Sequence, residues 1–231
     1  MRSGARGRKL PEPMTDTQQL VLEERRDNVL LLSLNRPERH HALSQALSDE
    51  LSGALSRAAE DAEVAVVIIT CTGEKAFCAG GDMLEMSGVE TQAQRSAGAG
   101  GLFGVLAKMP MPVIAAINGY CFGGGARLAI GCDIRLASDN ATFRLPGSEY
   151  GLVVAAATLP RLVGAERAKE LIFTARKFTA EEAERYGLIS AVYPRAKLMP
   201  AAWEMAQTIA AHSAGAVREA KKVIDAATLS D

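Results

Sequence analysis

Two short segments of this chain carry residue types suited to chemistry: Ala76-Phe77-Cys78-Ala79-Gly80-Gly81-Asp82-Met83 and Asn118-Gly119-Tyr120-Cys121-Phe122-Gly123-Gly124-Gly125-Ala126-Arg127. Each sets glycines between an apolar run and the start of a helical pattern. Glycine at such a turn admits positive φ and lets a ligand come close to the main chain. The first N–H groups of the following helix have no intrahelical acceptor, and the helix dipole favours negative charge there. One amide from each segment is the minimum for an oxyanion hole, which stabilises charge developing on a carbonyl oxygen. Taken singly, either segment is equally well read as a tight strand-to-helix connection. Nucleotide binding fits worse: in G-x-G-x-x-G counted from Gly123 the third glycine falls at Leu128, and G-x-x-x-x-G-K-[ST] does not occur.

The elements that must hold these glycines are legible as periodicity. Residues 20–24 and 29–34 read as two strands joined by a turn at Arg26-Asp27-Asn28, and Pro37 closes the second, since proline cannot extend a ladder. From Ser44, Leu47, Leu51 and Leu55 recur at i, i+4 and i+8, the stripe of an amphipathic helix. Residues 64–71 (VAVVIITC), 113–118 (VIAAIN) and 133–137 (DIRLA) are apolar without alternation, as in strands covered on both faces. Helical patterns at 82–86 and 125–132 follow the glycine turns, with a variable stretch at 91–109 between them. Strand, glycine turn and helix in alternation predict a parallel α/β sheet with right-handed crossovers. The two turns would then face the carboxyl edge of the sheet, where open α/β folds bind ligands. Beyond Ala157, residues 165–175, 179–186, 199–211 and 214–227 read as helices, with one short strand at 189–193.

Composition excludes several partners. In 231 residues, 26 Lys+Arg stand against 27 Asp+Glu, so no excess of positive charge marks a nucleic-acid or anionic membrane surface. No run approaches the ~18 apolar residues of a membrane span. Cys71, Cys78, Cys121 and Cys132 form no C-x-x-C pair and have three histidines for company, which points to reduced, cytoplasmic thiols and no metal site. Residues 1–13 are basic and Gly/Pro-rich without an apolar signal core. They read as a disordered tail, with a transit peptide as the alternative, ahead of an α/β core at 14–195 and a helical region at 196–231.

The two glycine segments, together with the opener LNRPERHHALS, the CDIRLAS strand and the later GLIS-AVYP, resemble the crotonase (enoyl-CoA hydratase/isomerase) superfamily from about Leu20 to Ala227. The resemblance implies a spiral of repeated ββα units followed by helices that commonly mediate trimer formation, hence a homo-oligomer, trimer or dimer of trimers. It also implies an acyl-CoA thioester as substrate, with no cofactor beyond that coenzyme A. The family stabilises a thioester enolate with two backbone amides, which by position are those of Gly81 and Gly124. The path of CoA in the family points to Arg39, Ala42, Ala79, Asp82 and Met83.

The sequence also departs from the family. Its hydratases use two glutamates, one two residues beyond the glycine triplet and one directly after a proline. Here those positions hold Arg127 and Gly147. Hydration needs one group to take a proton from water and another to supply one. Arg127 cannot be deprotonated, though it suits a carboxylate or an enolate by charge. Glu149 is the nearest surviving carboxylate, with Tyr150 beside it. His40 and His41 read as structural or solvated, and Cys78 and Cys121 as core filling. The family usually continues into further helices beyond the position of Asp231, so the helical region looks shortened. Enolate chemistry of the hydratase/isomerase type is the leading expectation, with decarboxylation or thioester hydrolysis as variants and a catalytically silent acyl-CoA carrier as the alternative.

Overall fold

The computed structural model of the chain describes residues 19–81 and 101–229. The tail at 1–13, the helix expected at 82–86, and Asp82 and Met83 lie outside the described residues. Strands β1 (Val21–Arg26) and β2 (Val29–Leu34) form an antiparallel hairpin. Its turn is tighter than expected, because Arg26 pairs with Val29 and Asp27 takes φ 51°. After β2 come α1 (Gln45–Glu60), β3 (Val66–Cys71) and β4 (Ala76–Cys78). The Leu47, Leu51 and Leu55 stripe of α1 is fully buried, and the Ser44 hydroxyl caps the helix by accepting from Leu47 N at 3.2 Å. The chain resumes with α2 (Leu102–Leu106), β5 (Val113–Ile117), β6 (Tyr120–Phe122), α3 (Gly124–Gly131), β7 (Ile134–Ser138) and β8 (Thr142–Arg144).

The strands of each pair part company. β3, β5 and β7 join a six-stranded sheet in the order β1-β2-β3-β5-β7-β10, whose last member is Ala191–Tyr193, parallel throughout except for the β1 hairpin. Their partners β4, β6 and β8 form a second sheet, closed by β9 (Phe178–Thr179) in the order β4-β6-β8-β9. That repeated division is the ββα pattern that the resemblance implies. Sequence periodicity does not reveal the small sheet, because strands of two or three residues are too short to show a period.

The absence of alternation in β3 has a direct cause. Val67, Ile69 and Cys71 pack into one apolar cluster with α1, while Val66 and Ile68 pack into another with Leu198, Ala202, Trp203 and Ala206 of α7 (Arg195–Ala210). Helix α7 starts before the expected residue 199 and carries Pro200 inside, at the cost of one backbone hydrogen bond. Between β8 and α7 lie α4 (Leu159–Val163), α5 (Ala165–Thr174) and α6 (Ala180–Arg185), the last opened by a Thr179–Glu182 capping box. The final helix, α8 (Ala214–Leu229), is fastened by Lys221, whose Nζ donates to Asp133 Oδ2 at 2.7 Å and to Met111 O at 3.1 Å. Among the described residues no helix is long and apolar enough to cross a membrane.

Candidate active site

The loop after β2 folds back on itself. A 3-10 turn at Pro37–Arg39 is followed by His40 and His41, both in the left-handed region at φ 49° and 53°. His41 is buried and pins this conformation: its Nδ1 accepts from Arg36 N at 3.1 Å, so its Nε2 carries the proton donated to Thr72 O at 2.9 Å. Burial lowers its pKa below the ordinary 6.5. The doubled-back loop then laces onto the first glycine segment. Ala79 N donates to His40 O at 3.0 Å and Leu43 N to Gly80 O at 2.7 Å, so the segments of Ala42 and Ala79 run side by side, with Arg39 exposed. Beside this seam runs a groove of about 400 Å³, lined by Pro37, His40, His41, Thr72, Glu74, Lys75 and Ala76.

Parallel pairing of β4 with β6 brings the two glycine segments into contact. Gly80 takes φ +110° and Gly123 φ +51°, conformations that L side chains rarely adopt. A Cβ on Gly125 would lie 2.2 Å from Cys78 O, so glycine there lets α3 seat against β4. A Cβ on Gly124 would lie 3.3 Å from Gly81 N and 3.3 Å from Leu43 Cδ1. The two backbones are thus adjacent, with Leu43 as a flanking wall. Gly124 opens α3, Gly123 provides no side-chain cap, and among the described residues neither the Gly81 nor the Gly124 N–H donates to a backbone acceptor.

Arg127 lies one turn into α3, on the face of Gly124, with its guanidinium carbon 4.0 Å from the centroid of the Phe103 ring. Partial burial lowers its pKa, because desolvation penalises the charged form. Gly147 sits in the 3-10 turn Pro146–Tyr150 and is buried. Its would-be Cβ meets Leu152 O at 2.7 Å and Val154 Cγ2 at 3.0 Å, so this position is closed to a side chain. Pro146 packs 3.9 Å from the would-be Cβ of Gly123, which places the turn beside the second glycine segment. Glu149 reaches outward to Arg144, Oε1 to Nη2 at 2.5 Å, while Arg144 Nε donates to Ala175 O at 2.8 Å. Tyr150 is exposed. Leu43, Phe103, Arg144 and Leu152 escaped the sequence reading, since nothing local marks a residue that acts through a contact distant along the chain.

The sequence pattern of the enoyl-CoA hydratase/isomerase family matches residues 24–231. The short-chain-enoyl-CoA hydratase of Clostridium acetobutylicum is 39% identical over 212 residues, which cover 89% of this chain and 80% of that protein. The crystal structure of enoyl-CoA hydratase from Bacillus anthracis has a TM-score of 0.86 at 39% identity, over 92% of this chain and 85% of that one. A monofunctional enoyl-CoA isomerase from M. smegmatis has a TM-score of 0.78 at 34% identity, over 92% of this chain and 95% of that one. A family pattern that spans most of the sequence, carried on the same fold, shows that this chain belongs to the enoyl-CoA hydratase/isomerase, or crotonase, family of acyl-CoA-acting lyases and isomerases.

Proposed function

We propose that the protein binds an acyl-CoA thioester with its carbonyl oxygen between the N–H groups of Gly81 and Gly124, and that these amides stabilise the enolate formed there. One observation carries the reading: among the described residues neither amide donates to a backbone acceptor, and Gly81 N lies 3.3 Å from the place a Gly124 side chain would fill, so the two glycine backbones adjoin. Pre-aligned donors of this kind act where negative charge develops and need no reorganisation during the reaction. In this reading CoA runs along the seam of Ala42 and Ala79 toward Arg39, continuing past Asp82 and Met83.

The proton chemistry favours isomerisation over hydration. Adding water needs two groups facing the acyl chain; here Arg127 holds one position and Gly147 is closed at the other. Moving a double bond needs one carrier. It takes a proton from C2 of a 3-enoyl thioester, the dienolate spreads its charge onto the oxygen held by Gly81 and Gly124, and the same proton returns to C4. Glu149 is the carboxylate we assign to that carrier; it is exposed and paired with Arg144, so the role requires it to leave that ion pair and turn toward the thioester. The closed site at Gly147 also favours a second reading, binding of acyl-CoA without turnover.

Turnover of a short 3-enoyl-CoA and of its trans-2 isomer, measured on wild type, Gly124→Ala and Glu149→Gln, tests this. Isomerase turnover is expected to fall about 10²–10³-fold in Gly124→Ala, whose methyl crowds the Gly81 amide. It is expected to fall about 10²–10⁴-fold in Glu149→Gln. Isomerase activity unchanged by Gly124→Ala would overturn the oxyanion assignment. Wild-type binding without either reaction would leave the carrier reading.

A further inference from the structure

Arg127 is held by a ring and not by a carboxylate. Arg25, Arg57, Arg144 and Arg176 each grip a carboxylate, whereas Arg127 has no carboxylate partner among the described residues and instead has its guanidinium over the Phe103 ring. A ring against one face of a guanidinium leaves its N–H edge available to a planar, bidentate acceptor. The side chain also points to the right place. Residues three apart on a helix are neighbours, about 5–6 Å between Cβ atoms, and each Cα–Cβ bond tilts toward the helix start. Arg127 therefore leans back over Gly124, beside the place assigned above to the thioester oxygen. The third group in the neighbourhood, Gly147, supplies no charge. Arg127 is exposed to solvent and among the described residues no carboxylate pairs with it, so an acyl group ending in a carboxylate would gain a charge-assisted partner there that a neutral alkyl chain would not.

We propose that Arg127 determines specificity by receiving a carboxylate at the far end of the acyl group, so that the preferred substrates are CoA thioesters of dicarboxylic acids. This rests on the placement of the thioester between Gly81 and Gly124, and the experiment is built to separate the two. Dissociation constants are measured at fixed salt for two pairs matched in chain length, succinyl-CoA against butyryl-CoA and glutaryl-CoA against pentanoyl-CoA. In at least one pair the dicarboxylic ester is expected to bind about 10–100-fold tighter, the range of a charge-assisted hydrogen bond. Arg127→Met should bring that ratio to about one, and Arg127→Lys should keep part of it, as a point charge without the bidentate fork.

The wild-type ratio needs no variant, so the test stands even if a variant folds poorly. Equal binding of both members in both pairs overturns the role of Arg127 and leaves the acyl-CoA site intact. A preference that survives in Arg127→Met also overturns it, because the carboxylate is then read elsewhere. Failure of all four esters to bind overturns the acyl-CoA site and this inference together.

Discussion

Replacing Gly147 by alanine asks whether this position, where the family resemblance implies a glutamate, is an empty seat or a filled one. The new Cβ would lie 2.7 Å from Leu152 O, 3.0 Å from Val154 Cγ2 and 3.3 Å from Val154 Cβ. The closest of these is a backbone atom, and it cannot swing aside like a side chain. It is further tied, because Leu152 N donates to Gly147 O at 2.8 Å across the same turn. Overpacking of this kind costs about 1–3 kcal/mol, and loosening the turn bond adds about 0.5–1.5 kcal/mol. Against this, alanine restricts the unfolded chain and returns about 0.4–1 kcal/mol. The net loss is about 0.5–4 kcal/mol, which for a domain of this size lowers Tm by roughly 1–16 °C. Thermal unfolding followed by circular dichroism measures it, with Gly215→Ala as control. Gly215 lies in α8 with nothing within 4 Å of its would-be Cβ, so alanine there should stabilise by about 0.5–1 kcal/mol. A Gly147→Ala protein melting within about a degree of wild type would refute the reasoning. The consequence reaches function: a glutamate carries the same Cβ, so the double change Arg127→Glu, Gly147→Glu should strain the turn before it restores any hydration.

Two further outcomes follow from burial. Because the native pKa of His41 is lowered from 6.5, the unfolded chain takes up a proton that the native chain refuses. Its contribution to stability is full above the unfolded value and is lost as pH falls through the lowered folded one. Urea unfolding at pH 7.5 and pH 5 should therefore show a larger loss for wild type than for His41→Asn, and an equal loss would remove His41 from the account. The thiols of Cys71, Cys78 and Cys132 are pushed up to about 12 by burial, and that of Cys121 well above its ordinary value. Iodoacetamide at pH 8 should label none of the four in the native protein and all four in guanidinium, as read by intact mass. Rapid native labelling would show that these strands open readily.

The sequence by itself determined what depends on local pattern. Runs such as VAVVIITC announce strands buried on both faces, the Leu47, Leu51 and Leu55 stripe announces a helix, and glycines between strand and helix announce backbone that a ligand can approach. Each signal repeats within a few residues because backbone geometry imposes a period. Only the tertiary structure decided what those parts do to one another. The small sheet exists because β4, β6, β8 and β9 pair across the chain, and none is long enough to carry a pattern of its own. The amides of Gly81 and Gly124 meet because that sheet draws them together. The ring of Phe103, from another helix, lies against the Arg127 guanidinium, Glu149 is held by Arg144, and Gly147 is closed by the backbone of Leu152. Contacts of this kind are set by packing between distant segments, and packing leaves no periodic trace in the sequence.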